Sequence, residues 1–492
     1  MRVTARALLV ALAATAAACA VGPRYHRPAP PQASDYGAAP SHGETAASAG
    51  AAGAAQVLTL GQDLPAQWWT LFQSRKLNAL IDSSLQGNPN LEAARAALRQ
   101  AQDLYKAQRA SLLPTVQGGF DAQRARNAVD TLANPTNLPQ VNPYYDLFTA
   151  QLSLSYMPDV FGGARRALEA TRAGVAATRF ELIATYVTLS SNVVVVAVQE
   201  GSLRGQIAAT QRLLEIERQL SATVRQQRTL GTASELELLA QEAAAAQTAA
   251  SLAPLEKQLG QTRDALTALL GKLPAQEPAE TFELADLTLP TELPVSLPAR
   301  LIEQRPDVRQ AEENLHAASA QVGVALADML PEFTISADTG SASLAINRLF
   351  SPYTGFWDVG ASLTQTLFDA GALIYRRKAA DAALDQAAAE YRAAVVLACQ
   401  NVADTLRALK ADADALAAAA DAAVAAQQAF ELARQQRQLG TISLVALLNA
   451  EQTYQQAQLA LVQARASRYA DTAGLFQALG GGWWNSSEAS FK

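Results

Sequence analysis

The chain has 492 residues, half of them hydrophobic, which is ample for a core and too long for one ordinary small domain. A net charge of −6 gives no electrostatic case for nucleic acid, and no basic cluster with interleaved aromatics offsets it. Few aromatics and many Ala, Leu and Gln favour long helices.

The N-terminus, "MRVTARALLVALAATAAACA", pairs Arg2 and Arg6 with a short apolar run from Ala7 to Ala18. Residues 1–18 read as a secretory signal, too short to span a bilayer. Small residues lead to Cys19, which resembles a bacterial lipoprotein cleavage site, with Ala16 where such sites usually carry Leu. That resemblance implies lipidation at Cys19, and Ala20 in place of Asp implies sorting to the outer membrane; ordinary cleavage nearby would leave a free thiol instead. Cys399, the one other cysteine, lies on an apolar helix and reads as a small core residue, so no disulfide framework is expected. The Pro/Gly/Ala/Ser-rich stretch 19–60 reads as an extended tether, with order beginning near "QWWTLF", where Trp68, Trp69 and Phe72 can dock.

The rest is a duplication. "NPNLEAARAALRQAQDLYKAQRASLLP" at 88–114 matches "RPDVRQAEENLHAASAQVGVALADMLP" at 305–331. "RQQRTLGTASELELLAQE" at 225–242 returns at 434–451 as "RQQRQLGTISLVALLNAE", identical at eleven of eighteen positions. The repeats are 61–272 and 301–480, separated by a Pro-punctuated linker, 273–300, and followed by a tail, 481–492. Each repeat predicts a helix, two strands, and two long helices joined at "LGT". In "DLFTAQLSLSYMP" and "WDVGASLTQTLF" apolar and polar residues alternate, the period of a sheet. Aromatics (Tyr144, Tyr145, Phe148, Tyr353, Phe356 and Trp357) lie near strand ends, as in membrane barrels. One such strand alone equally suits a soluble two-faced sheet. Four strands cannot close a barrel, and an open edge is not tolerated in lipid. Strands that span a membrane therefore require a shared barrel, of eight strands for two chains or twelve for three.

The long helices are predicted at about 164–230 and 372–439, each about 100 Å if unbroken, with Gly201 and Gly205 as places where the first could bend. Leu182, Tyr186, Leu189, Val193 and Val196 follow a coiled-coil spacing. The apolar "VVVVAV" at 193–198 is flanked by polar residues and reads as a buried coiled-coil segment. No catalytic constellation is found, no cofactor is implied, and His26, His42 and His316 lack metal-ligand spacing.

Together "CAVGPRYHRP", "WWTLF", "NPNLEAA", "RPDVRQAE", "LFDAG", the two "LGT" turns and "ALGGGWW" resemble the outer-membrane efflux factors, the TolC/OprM-type family, in its lipoprotein (NodT-type) branch. The resemblance implies a mainly α fold with a membrane β-barrel. A duplicated protomer would give four strands to a trimeric twelve-stranded barrel, and coiled-coil helices would form a periplasmic α-barrel. It also implies a non-enzymatic duct exporting small molecules, with a periplasmic adaptor (membrane fusion protein), an inner-membrane transporter of RND, major-facilitator or ABC type, and outer-membrane lipids as partners. A duct for protein secretion, or a channel-less periplasmic coiled-coil lipoprotein, are the alternatives. The turns Leu230, Gly231, Thr232 and Leu439, Gly440, Thr441 would contact the adaptor. Just past them Glu237 and Asn449 would line the periplasmic aperture, Glu237 as a single acidic ring, since its repeat counterpart is Ala446. The contrast of Glu235 and Glu237 with Leu444 and Ala446 makes one hairpin acidic and the other apolar, and gating is expected in that asymmetry.

Overall fold

The computed structural model describes residues 20–33, 35–37, 43–126 and 144–486. The signal segment and Cys19 lie outside them. The described chain forms two compact units.

The first unit takes in 99–177 and 312–390 with the described residues up to Arg27. Its centre is an antiparallel sheet of β3 (Thr115–Arg126), β4 (Tyr144–Tyr156), β6 (Glu332–Ser343) and β7 (Gly355–Thr364), in the order β3-β4-β6-β7. Each repeat supplies one hairpin, and β4 joins β6 across the repeats with Gln151 opposite Gly340. The strands run 12, 13, 12 and 10 residues, long enough to cross a hydrocarbon core when tilted.

The register sorts the side chains. Val116, Leu154, Ala337 and Val359 fall in one row, and Gly118, Leu152, Thr339 and Trp357 in the next on the same face. Gln117, Ser153, Asp338 and Asp358 fall in a row on the opposite face. The apolar face is open: Val116, Phe120, Leu152, Trp357, Val359 and Leu363 are all more than half exposed. A soluble two-faced sheet buries that face. Here it is left uncovered, as a lipid-facing barrel wall requires.

Residues just after Cys19 are fixed in this unit. Val21 N–H donates to the Phe161 carbonyl (3.0 Å), and the buried Arg166 returns a bond to the Val21 carbonyl (3.1 Å). The Tyr25 ring stacks on His316 at 4.2 Å, and His316 bonds Glu169 at 2.9 Å, so the histidine packs this segment.

The second unit comprises 28–98, 178–311 and the chain from Tyr391 onward. Two strands outside the repeats, β2 (Val57–Leu60) and β5 (Glu292–Val295), pair in parallel, and β1 (Gly43–Glu44) adds to β2 antiparallel. Helices α1 (Arg75–Gly87) and α5 (Pro298–Gln304) lie wholly in this unit, whereas α2 (Pro89–Ala110), α3 (Gly163–Thr229), α6 (Pro306–Ala327) and α7 (Ala372–Gln438) give turns to both. The helices α4 (Glu235–Leu269) and α8 (Leu444–Ala478) complete the two long hairpins here. Trp68, Trp69 and Phe72 form a fully buried turn against Phe476, Tyr469 and Tyr186. Val193, Val194, Ala197 and Val198 are buried as well, so the apolar run of α3 is core.

Two expectations change. Order does not wait for Gln67: within the expected tether, β2 is hydrogen-bonded and Gln56 is fully buried. Gln56 donates to the Pro290 carbonyl (2.9 Å) and Thr472 Oγ1 (3.1 Å). The fully buried Arg468 of α8 donates to Thr45 Oγ1 (2.9 Å) and the Ala54 carbonyl (2.7 Å). Besides the buried Tyr36, Ala52 and Leu58, this segment is held by polar bonds, which a composition argument does not count. Second, α3 runs unbroken through its glycines. A Cβ at Gly201 would stand 2.8 Å from Leu284 N, and one at Gly205 2.9 Å from the Val462 side chain, so these residues are small to admit neighbours to an unbroken helix.

Candidate functional site

The two helical hairpins, α3–α4 and α7–α8, end in matching turns. Gly231 and Gly440 take left-handed backbone, φ 77° and 75°. Gly231 N–H bonds the Arg228 carbonyl and Thr232 N–H the Gln227 carbonyl, both at 2.9 Å; Gly440 and Thr441 repeat the pair on Arg437 and Gln436. This is a Schellman C-cap, written twice. The Thr232 and Thr441 hydroxyls donate to the same Gln227 and Gln436 carbonyls at 3.0 Å, which accounts for threonine after glycine. Two residues on, Ser234 and Ser443 cap the outgoing helices, each accepting at 3.2 Å from the backbone of Glu237 and Ala446. Glycine, threonine and serine thus serve the turn itself. Leu230 and Leu439 do not, being 72% and 79% exposed. Leu236 and Val445 extend that exposed apolar surface.

The polar residues separate the hairpins. In the first, Arg225 pairs with Glu242 and Arg228 with Glu235, each at 2.6 Å. In the second, Leu444 stands where Glu235 stands in the first, so Arg437 has no such partner. Arg437 reaches instead to Glu237 of the other hairpin, Nη2 to Oε1 2.6 Å. Sequence reasoning offers Glu237 as a pore charge. In the structure its carboxylate also accepts from Ser234 N–H (2.9 Å) and closes a capping box. The Ser234 N–H, then Arg437, hold this carboxyl below the usual range. An acid so engaged projects little free negative potential, and its clear structural role is to tie the hairpins together. Asn449 lies exposed on α8 and its side chain joins none of these bonds.

Below the turns an apolar seam joins the hairpins. Phe430, Leu444 and Leu447 of the second are buried against Ile216, Leu220 and Ala240 of the first. Sequence reasoning missed Arg437, and the signal was available: the loss of Glu235 from the second copy frees one arginine.

Comparison with known proteins agrees with this architecture. The family model described as "Outer membrane efflux protein" matches residues 80–272 and 297–481, one segment in each repeat. The pyoverdine export outer membrane protein OpmQ of Pseudomonas putida is 31% identical over 425 residues, 86% of this chain and 89% of its own. The toluene efflux pump outer membrane protein TtgF, from another strain of Pseudomonas putida, is 29% identical over 482 residues, 98% and 97% of the two chains. The solved outer-membrane channel OprN superposes with a TM-score of 0.84 at 27% identity, covering 94% of this chain and all of that one. The fold is accordingly mainly α with a membrane β-barrel segment, built from a duplicated protomer. The chain belongs to the outer membrane efflux protein family.

Proposed function

We propose that this protein is the outer-membrane exit duct of a tripartite efflux pump, a passive channel and not an enzyme. The observation that carries the reading is the four-stranded sheet with its apolar face exposed and, among the described residues, strands β3 and β7 unpaired on their outer sides. Open edges have no place in lipid, so neighbouring copies complete the wall. Three copies give twelve strands, and the row containing Gln117, Ser153, Asp338 and Asp358 then faces a polar lumen.

Lipidation at Cys19 fits this placement. Val21, two residues on, is fixed at Phe161, between the end of β4 and the start of α3. Six turns per trimer, each with an exposed leucine, form the docking surface for a periplasmic adaptor, which links the duct to an inner-membrane transporter of RND, major-facilitator or ABC type. The narrow end lies at the level of Glu237 and Asn449, and the Arg437–Glu237 bond holds it closed until the adaptor engages. Named relatives export pyoverdine or toluene through a similar chain. That breadth supports a small-molecule duct whose cargo is selected by the transporter.

The test is conductance of the purified protein in planar lipid bilayers, with the oligomer counted by mass after cross-linking. A trimer that conducts supports the reading; a monomer that yields no channel with or without adaptor overturns it.

A further inference from the structure

Behind the apolar seam lies a polar group that the tip chemistry leaves unused. Glu217 on α3 and Glu451 on α8 are 3% and 2% exposed. Both carboxylate oxygens of Glu451, and Oε2 of Glu217, lack a hydrogen-bond partner among the described residues. Gln241 on α4, fully buried, lies close enough to Glu451 to favour its charged form without a well-formed hydrogen bond, and the Ser221 hydroxyl one turn along α3 has no partner among the described residues. The one close bond is from Thr248 Oγ1 to Glu217 Oε1, 2.9 Å. Here α4 offers Gln241 and Thr248, and α7 gives Phe430, on which the Tyr454 ring of α8 stacks at 5.3 Å. The nearby arginines are committed elsewhere, Arg225 to Glu242 and Arg437 to Glu237.

The duplication sharpens the contrast. Glu242, the counterpart of Glu451, is a surface ion pair, and the counterpart of Glu217 is the buried Ala426. The carboxyl pair therefore occurs once per chain, across the two hairpins. Two buried carboxylates with no cation cannot both be ionised, so the closed seam retains a proton. We propose that Glu217 and Glu451 form a proton-operated latch between the hairpins, closed when the pair holds its proton and released when the proton is lost to water.

Burial and then the Glu217 charge push Glu451 up to about 8 in the closed seam, and burial also raises Glu217. Once the seam opens and water reaches the group, Glu451 returns to the ordinary value of 4.5. Between these two values the closed form binds one more proton than the open form. Raising the pH therefore favours opening, about tenfold per pH unit, and the effect levels off above about pH 8. From about pH 6 to about pH 8 the open-to-closed ratio rises about 50-fold, because the closed form is half deprotonated at the upper end.

This inference rests on the duct reading for its purpose but not for its test. Spin labels at residues 226 and 435, one near each tip, would report hairpin separation in full-length protein in lipid nanodiscs. Wild type should gain a long-distance population between about pH 6 and pH 8, with loss of a protonated-carboxyl infrared band. Glu451→Gln should stay closed and flat across that range. Glu217→Gln, which removes one cause of the raised value, should keep the response but complete it at lower pH; it carries the test if Glu451→Gln fails to assemble. Invariant wild-type distances, or a Glu451→Gln protein that responds like wild type, overturn the latch. Distances that respond without bilayer conductance would instead sink the duct reading and leave the latch standing.

Discussion

Replacing Arg437 with Ala removes the one ion pair described between the hairpin tips. The two side chains are 21% and 28% exposed and meet at 2.6 Å. Exposed pairs contribute about 0.2–1 kcal/mol, and a short charge-assisted bond in partial burial lies at the upper end. About 1 kcal/mol per chain corresponds to about a fivefold shift in the opening ratio. If three chains of the proposed trimer open together, about 3 kcal/mol is lost and the shift exceeds about 100-fold; independent opening would show only the smaller figure. The assay is single-channel open probability without adaptor, for Arg437→Ala, Glu237→Ala and the double variant. A coupling below about 0.3 kcal/mol in that cycle would refute the contact as a lock. The pH dependence supplies a second check. Glu237 has its carboxyl held below 4.5, so its contribution is complete at neutral pH and disappears only as pH falls through that lowered value. This lock should weaken in acid, whereas the Glu217–Glu451 latch weakens as pH rises.

Gly440 sits at φ 75° with open space around it, so a substitution there meets only backbone strain. Gly440→Ala should cost about 1 kcal/mol and Gly440→Asn less, read as thermal stability and protease nicking at the turn. Arg468→Met should cost about 2 kcal/mol by leaving the Ala54 carbonyl without its donor, while Thr45 Oγ1 keeps the Gln56 N–H. Limited proteolysis should then cut between residues 43 and 60; unchanged protection would contradict the assigned role of Arg468.

What the sequence disclosed follows from the range of each interaction. The strands were legible because period two is written in adjacent residues, and the tips because Gly231 and Gly440 encode a local turn. Even the exposure of the apolar strand face was implied by Trp357 and its flanking aromatics. The Arg437–Glu237 bond was hidden because it joins residues 200 positions apart, although the loss of a counterpart to Glu235 pointed toward it. The docked N-terminal segment was missed for another reason. Its polar composition forecasts little apolar burial, whereas Gln56 and Arg468 hold it by hydrogen bonds that no local pattern announces. Glu451 and Glu242 hold the same place in the two repeats, and only the packing of α8 on α3 and α4 distinguishes them.

The tie between Gln56 and α8 also bears on how the protein is made. Strand β2 finds its partner β5 only after the whole first repeat has been synthesised, and Thr472, which receives the Gln56 amide, lies 416 residues downstream. Contacts this distant in sequence form late, because the intervening loop must close first. The leading end therefore stays unstitched until the last long helix sews it down. A chain released before Arg468 is made would carry both tip turns and all four barrel strands, yet lack the closing stitch. Closure of this part of the fold thus waits for completion of the polypeptide.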